Sequence, residues 1–207
     1  MTGVKICGIT RMEDARLAAA LGASAIGFVF WPGSPRFVTP AQAREIAAAV
    51  PPFVARVGVF VNQPAGHVSD VASEVGLDVV QLHGNEDVAY ARLVGRRVIR
   101  AAALSEASAL VDGWPAAVTL LIDAIDGERR GGTGRPVDWG TAAALAARRP
   151  IILAGGLRPE NVEEAIRRVR PLAVDVSSGV ESEPGVKDGR RLREFFSAVT
   201  AAEGETR

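Results

Sequence analysis

The chain holds one cysteine, Cys7, two residues after Lys5 in the apolar run VKICGI at 4–9. In an extended strand alternate residues face the same way, so Lys5 and Cys7 share one side and Val4 and Ile6 the other. If the apolar pair packs outward, the amine and the thiol point into the space that the strand encloses. A lone cysteine there is either a working thiol or a small buried hydrophobe. Asp123 ends the run TLLID at 119–123. A carboxylate at the mouth of a buried strand is costly unless it is paired or used. A helix cap or an ion pair is the plainer alternative. Gln81 and His83 share one face of the run DVVQLH at 78–83, where a polar pair would orient a ligand or form a satisfied structural couple.

Three loops add binding chemistry. The segment Trp31-Pro32-Gly33-Ser34-Pro35-Arg36 is stiffened by two prolines, and Arg36 can present a two-pronged donor to a carboxylate or stand as one surface arginine among many. The segment Gly131-Gly132-Thr133-Gly134 is flexible enough to close over a ligand, with Gly132 and Gly134 as its contacts. Ala154-Gly155-Gly156-Leu157 and Ser177-Ser178-Gly179-Val180 each follow an apolar run. Alone, each is a plain turn. Together they are two glycine-bearing loops whose backbone N–H groups can hold a phosphate.

The elements that must position these residues follow from periodicity. Short apolar, β-branched runs at 4–9, 25–30, 54–60, 78–83, 97–102, 119–123, 151–154 and 173–177 read as strands. Between them, 13–21, 40–49, 65–75, 86–94, 105–112, 138–148, 159–169 and 188–201 have helical spacing. Thr39-Pro40 supplies an N-cap and a first-turn proline, and Asp138, Pro159-Glu160 and Asp188 open other helices. Strict alternation implies parallel strands. Eight units predict an α/β fold, the single-domain (β/α)8 barrel over residues 1–207, at the short end of the lengths that barrel takes. The rival is a doubly wound open sheet, but ICGIT stands where a GxGxxG fingerprint would follow the first strand. In a barrel the ends of strands 7 and 8 are where phosphate is often bound, which strengthens that reading of Gly155, Gly156, Ser178 and Gly179.

Composition bounds the rest. The 207 residues carry 24 basic and 24 acidic side chains, with no net charge, which speaks against nonspecific nucleic-acid binding. Apolar residues make up 48% and charged residues 23%, as in an ordinary globular domain. One cysteine and two histidines are too few for a multi-Cys or His-rich metal site. No run suits a signal peptide or a membrane span. The expectation is a cytoplasmic protein with a small-molecule ligand, no nucleic-acid or membrane partner, and a monomeric or homodimeric state. All but two of the basic residues are arginine. Against such a bias, the retention of Lys5 and Lys187 hints that lysine chemistry matters at those positions.

Taken together, KICG at 5–8, GFVFWPGSPR at 27–36, VGVFVN at 57–62, VQLHG at 80–84, the Asp123 strand end, GGTG with DW at 131–139, LAGGLRPENV at 153–162 and DVSSGVESEPGVKD at 175–188 resemble the phosphoribosylanthranilate isomerase family of tryptophan biosynthesis. No single segment is decisive, but the set spans nearly the whole chain in order. Arg135 stands where lysine is common, which keeps the charge. The resemblance implies an Amadori rearrangement of N-(5'-phosphoribosyl)anthranilate to 1-(2-carboxyphenylamino)-1-deoxyribulose 5-phosphate, with no metal or organic cofactor. It implies Cys7 as general base, Asp123 as general acid and Arg36 as the contact to the anthranilate carboxylate. Lys5, Gln81, His83, Gly132, Gly134, Gly155, Gly156, Ser178 and Gly179 would bind substrate around them.

The acid role asks for a protonated Asp123, which the apolar run before it and closure of the 124–136 loop would favour by desolvation. The base role asks for a Cys7 thiolate tuned by Lys5. Strands 8 and 1 are neighbours in a closed barrel, and alternation turns Asp175 inward with Ala173 and Ser177. A buried Lys5–Asp175 ion pair is therefore expected. The rivals are the analogous barrel isomerase of histidine biosynthesis, or a bifunctional relative, which uses aspartate in place of Cys7, and a catalytically silent phosphosugar-binding regulator, which would need neither Cys7 nor Asp123.

Overall fold

The computed structural model describes residues 1–123 and 138–204. Eight strands follow one another in parallel and close on themselves: β1 (Gly3–Ile6), β2 (Ala25–Val29), β3 (Ala55–Phe60), β4 (Val79–Leu82), β5 (Arg97–Ala103), β6 (Thr119–Asp123), β7 (Ile151–Ala154) and β8 (Ala173–Val176). β8 returns to β1 in register, pairing Val4 with Val174 and Lys5 with Asp175. Around the ring lie α1 (Met12–Ala20), α2 (Pro40–Ala47), α3 (Ala65–Val75), α4 (Val88–Leu93), α5 (Ala107–Gly113), α6 (Trp139–Arg148), α7 (Val162–Val169) and α8 (Gly189–Gly204). The chain is thus the (β/α)8 barrel that alternation predicts.

Period-two alternation divides each strand between two cores. Ile6, Ile26, Phe28, Phe60, Leu82, Leu120, Ile122, Ile151 and Leu153 face outward and are fully buried beneath the helices. The intervening positions fill the ring: Val57, Ile99, Ala101, Leu121, Ile152 and Ala154 form one inner cluster. Cys7, Val29 and Val59, with Trp31 against them, form another at the C-terminal ends of the strands. The interior is therefore packed.

Local signals explain several helix starts. Thr39 accepts the Gln42 N–H while Gln42 reaches back to the Thr39 N–H, a capping box with Pro40 in the first turn. Asp138 accepts from Thr141 N–H, and Asp188 accepts from Arg190 and Arg191 N–H. The Pro159-Glu160 start does not hold. α7 begins at Val162, because Asn161 turns its side chain back, accepting from Arg158 N–H and donating to the Gly156 carbonyl. The other departure lies after β8. A 3₁₀ turn at Ser178–Val180 leads into a small antiparallel hairpin, β9 (Glu181–Glu183) and β10 (Val186–Lys187), which turns at Gly185 with φ +86° before α8.

Candidate active site

The upper layer is built mainly from β1, β4, β6 and β8. Lys5 is 3% exposed, and its Nζ lies 2.8 Å from Asp175 Oδ1, whose side chain is 10% exposed. The expected ion pair is present. Burial would lower the Lys5 pKa, but Asp175 and Cys7 together outweigh it and hold the ammonium above its ordinary value.

Cys7 lies one step further up the same face, 9% exposed. Burial and the Asp175 carboxylate oppose ionisation of the thiol, whereas the nearby Lys5 ammonium favours it. Burial wins, and the thiol sits above its ordinary range. The tuning by Lys5 exists, but it is not strong enough to make Cys7 a resting thiolate. Room for both side chains comes from β2. A Cβ on Gly27 would lie 3.0 Å from Cys7 Sγ and 3.3 Å from Lys5 Cε.

Asp123 ends β6, half-buried, level with Ala103 on β5 and Ala154 on β7. β1 and β6 are separated by two strands on one side of the ring and four on the other, so Cys7 and Asp123 face the enclosed space from different walls. On β4, Gln81 Nε2 lies 3.1 Å from His83 Nδ1. Burial pushes the imidazole pKa down despite the nearby Asp123 carboxylate, which raises it. The Gln81 amide nitrogen donates to Nδ1 in the tautomer that carries its proton on Nε2. Gln81 is itself fully buried, so it orients His83 rather than reaching outward.

The two glycine loops meet. Gly155 and Gly156 have φ of +90° and +63°, backbone that side chains rarely adopt. The Asn161 side chain pins Gly156 through its carbonyl. A Cβ on Gly179 would overlap the Leu157 carbonyl, so the turn after β8 rests directly on the backbone after β7. Ser178 opens the 3₁₀ turn beside it. Arg36 lies across Gly8, which has φ +72°, where a Cβ would collide with its Cδ. Its Nε and Nη2 donate to Glu181 Oε1 and Oε2 at 2.8 and 2.6 Å. Gly132, Gly134 and the 124–136 segment expected to close over Asp123 lie outside the described residues.

Three residues of this layer escape a reading of the sequence. Gly27 could have been found by alternation, as the inward small residue beside Lys5 and Cys7. Lys187 carried the only signal available, its retention in an arginine-biased chain. Glu181 carried none, because its role depends on a hairpin that brings it under Arg36.

Residues 4–198 match the family described as N-(5'-phosphoribosyl)anthranilate (PRA) isomerase. The chain is 52% identical over 198 residues to the N-(5'-phosphoribosyl)anthranilate isomerase of Geobacter sulfurreducens, covering 95% of this chain and 97% of that one. It is 47% identical to the protein of that name from Pelobacter propionicus, over 100% and 99% of the two chains. Its fold superposes with TM-score 0.90 on phosphoribosyl anthranilate isomerase from Thermotoga maritima, at 43% identity over 97% and 100% of the chains. A phosphoribosyl anthranilate isomerase solved with reduced 1-(o-carboxyphenylamino)-1-deoxyribulose 5-phosphate is similar at TM-score 0.87 and 41% identity, over 97% and 100%.

Proposed function

This chain belongs to the N-(5'-phosphoribosyl)anthranilate isomerase family, and from that premise we propose how its residues perform the family's isomerisation in tryptophan biosynthesis. The reaction is an aldose-to-ketose shift within one molecule. Asp123, protonated, donates to the ribose ring oxygen. The C1'–O4' bond breaks, and the nitrogen lone pair forms a C1'=N iminium. Cys7, as thiolate, removes the C2' proton, and the C2'–H electrons form the C1'=C2' bond while the nitrogen regains its lone pair. The resulting enol loses its hydroxyl proton as C1' gains one, leaving the C2' ketone and a secondary arylamine.

The observation that carries this reading is the meeting of a thiol and a carboxyl group on separate walls of one barrel mouth, with two interlocked glycine loops beside them. The iminium places a positive charge at the reacting carbons, which acidifies C2'–H and favours a thiolate nearby. That offsets the burial which keeps Cys7 protonated in the free protein. His83, neutral and with a proton on Nε2, donates to a sugar oxygen, and Gln81 holds it in that tautomer. Lys5 lines the floor of the pocket. Gly155, Gly156, Ser178 and Gly179 hold the phosphate through backbone N–H groups, and Gly132 and Gly134, outside the described residues, are further substrate contacts. Residues 1–207 act as one catalytic domain, a cytoplasmic enzyme working as a monomer or homodimer on a small phosphosugar-anthranilate. Incubation with freshly made N-(5'-phosphoribosyl)anthranilate, followed by the loss of anthranilate fluorescence, tests the activity. No turnover above the spontaneous rate would defeat it.

Two expected results follow from the binding assignments. In Gly179→Val the new side chain must displace the Leu157 backbone, so KM should rise at least ~10-fold, the scale of roughly 1.4 kcal/mol. Unchanged KM in the folded variant would put the phosphate elsewhere. Arg36→Met should weaken carboxylate-bearing ligands by about 10- to 100-fold, as for loss of a charge-assisted pair. Simple phosphosugars should be spared. Titration with both ligand types checks this, and equal weakening of the two would leave Arg36 only a general electrostatic part.

A further inference from the structure

Arg36 is the outer member of a buried charge trio. Beneath it, Glu181 takes two guanidinium N–H groups, and Lys187 Nζ donates to Glu181 Oε1 at 2.7 Å. Side-chain exposure falls along this line from 21% at Arg36 to 4% at Glu181 and 0% at Lys187. Glu181 is ionised at neutral pH. Burial opposes this, but Arg36 and Lys187 together hold its carboxyl below the usual range. The signs therefore alternate as plus, minus, plus from mouth to interior, and ligands reach mainly the Arg36 end.

We propose that Glu181 and Lys187 are positioning residues for the substrate's carboxylate. Glu181 fixes the Arg36 guanidinium by its Nε–Nη2 edge, and Lys187 cancels the Glu181 charge so that the exposed end keeps one net positive charge. The proposal rests on the reading of Arg36 as the carboxylate contact.

Its physical basis is simple. An arginine already paired with a carboxylate is a neutral dipole and has little net attraction for a second carboxylate. A third, cationic member restores the attraction without adding a mobile charge at the mouth. A guanidinium has five N–H donors in a rigid fork. Fixing it by one edge leaves three donors, on Nη1 and Nη2, in a set plane. The Arg36 stem is held in turn by its passage across Gly8. Lys187 also donates to the Cys7 carbonyl at 2.6 Å and the Ser177 carbonyl at 3.3 Å, so it braces the ends of β1 and β8. The test must separate its charge from that brace.

The measurement is binding of two probes by wild type, Arg36→Met, Lys187→Met and the double variant Glu181→Gln/Lys187→Met. Reduced 1-(o-carboxyphenylamino)-1-deoxyribulose 5-phosphate carries carboxylate and phosphate; ribose 5-phosphate carries phosphate alone. Lys187→Met should weaken the first probe about tenfold and the second less than about twofold, the scale of one unit charge removed a few ångströms away in a partly buried site. The double variant should recover part of that loss, because Arg36 no longer faces a buried carboxylate while the glutamine amide oxygen still accepts one guanidinium N–H. Equal weakening of both probes by Lys187→Met would show a brace and nothing more. No change in either probe, or a double variant no better than Lys187→Met, would also overturn the proposal. Carboxylate-selective loss in Arg36→Met alone leaves the Arg36 reading intact while the positioning role fails. Unselective loss in Arg36→Met removes that reading and the proposal with it. If Lys187→Met does not fold, Lys187→Gln, which keeps a side chain able to donate to the Cys7 and Ser177 carbonyls, is measured in its place and read by the same outcomes.

Discussion

Cys7→Ser and Asp123→Asn should each lower kcat at least ~100-fold, with a smaller change in KM, the usual scale for general acid–base groups. The serine keeps the size and hydrogen-bonding capacity of the thiol and loses most of its basicity. The asparagine keeps the shape of the aspartate and has no proton of comparable acidity to give. The two losses concern different steps, ring opening and C2' deprotonation, so trapping the open-chain iminium with borohydride separates them. It should accumulate in Cys7→Ser and not in Asp123→Asn. The thiol also sets a pH dependence. Burial holds its pKa above the ordinary value in the free protein, so the thiolate fraction, and with it kcat/KM, should still be climbing with pH in the mildly alkaline range. That limb should vanish in Cys7→Ser. Near-normal kcat in the serine variant would remove Cys7 from the mechanism.

Asp175→Ala should destabilise the fold by about 3–5 kcal/mol, because it strands a buried ammonium. Lys5 is 3% exposed and has Asp175 as its carboxylate partner at 2.8 Å. Removing both charges in Lys5→Met/Asp175→Ala should restore much of that loss, since two apolar side chains need no counter-ion. Urea unfolding of the two single variants and the double checks the cycle; a double variant no more stable than Asp175→Ala would mean that the pair contributes little as a pair. The sign with pH follows from Lys5. Its folded-state pKa is raised above the unfolded value, so its contribution is full below about pH 10.4 and is lost as pH rises through the folded value. The wild type should therefore lose stability at the alkaline end faster than the double variant.

The barrel was legible because its two periods are plain. Runs such as TLLID and IILA cannot be surface segments, and the amphipathic stretches between them all call for the same inner partner. The inward set on β1 and β8 followed from alternation, and Lys5 facing Asp175 followed once the barrel was taken as closed. Two kinds of feature did not follow. One is any balance of opposing terms. A sequence shows Lys5 beside Cys7, but the direction of the thiol shift depends on how completely burial removes water from it, and on Asp175 arriving from 168 positions away. The other is irregular backbone. SSGV alone reads as a plain turn, yet with the residues after it the chain folds into a 3₁₀ turn and hairpin that carry Glu181 and Lys187 under Arg36. Likewise Asn161 chose the loop over the helix, and α7 starts later than Pro159-Glu160 suggests.

The junction of β8 with β1 has a consequence for how the chain is made. Lys5 meets Asp175, and the Cys7 carbonyl meets Lys187, across almost the full length of the polypeptide. A ribosome adding about 5–20 residues per second therefore exposes the thiol and its lysine for many seconds before their partners exist. Until β8 has been made the barrel cannot close, and β1 lacks one of its two neighbours. The last seam to close is also the wall that holds Cys7. The wall that carries Cys7 is complete only once the last strand has paired.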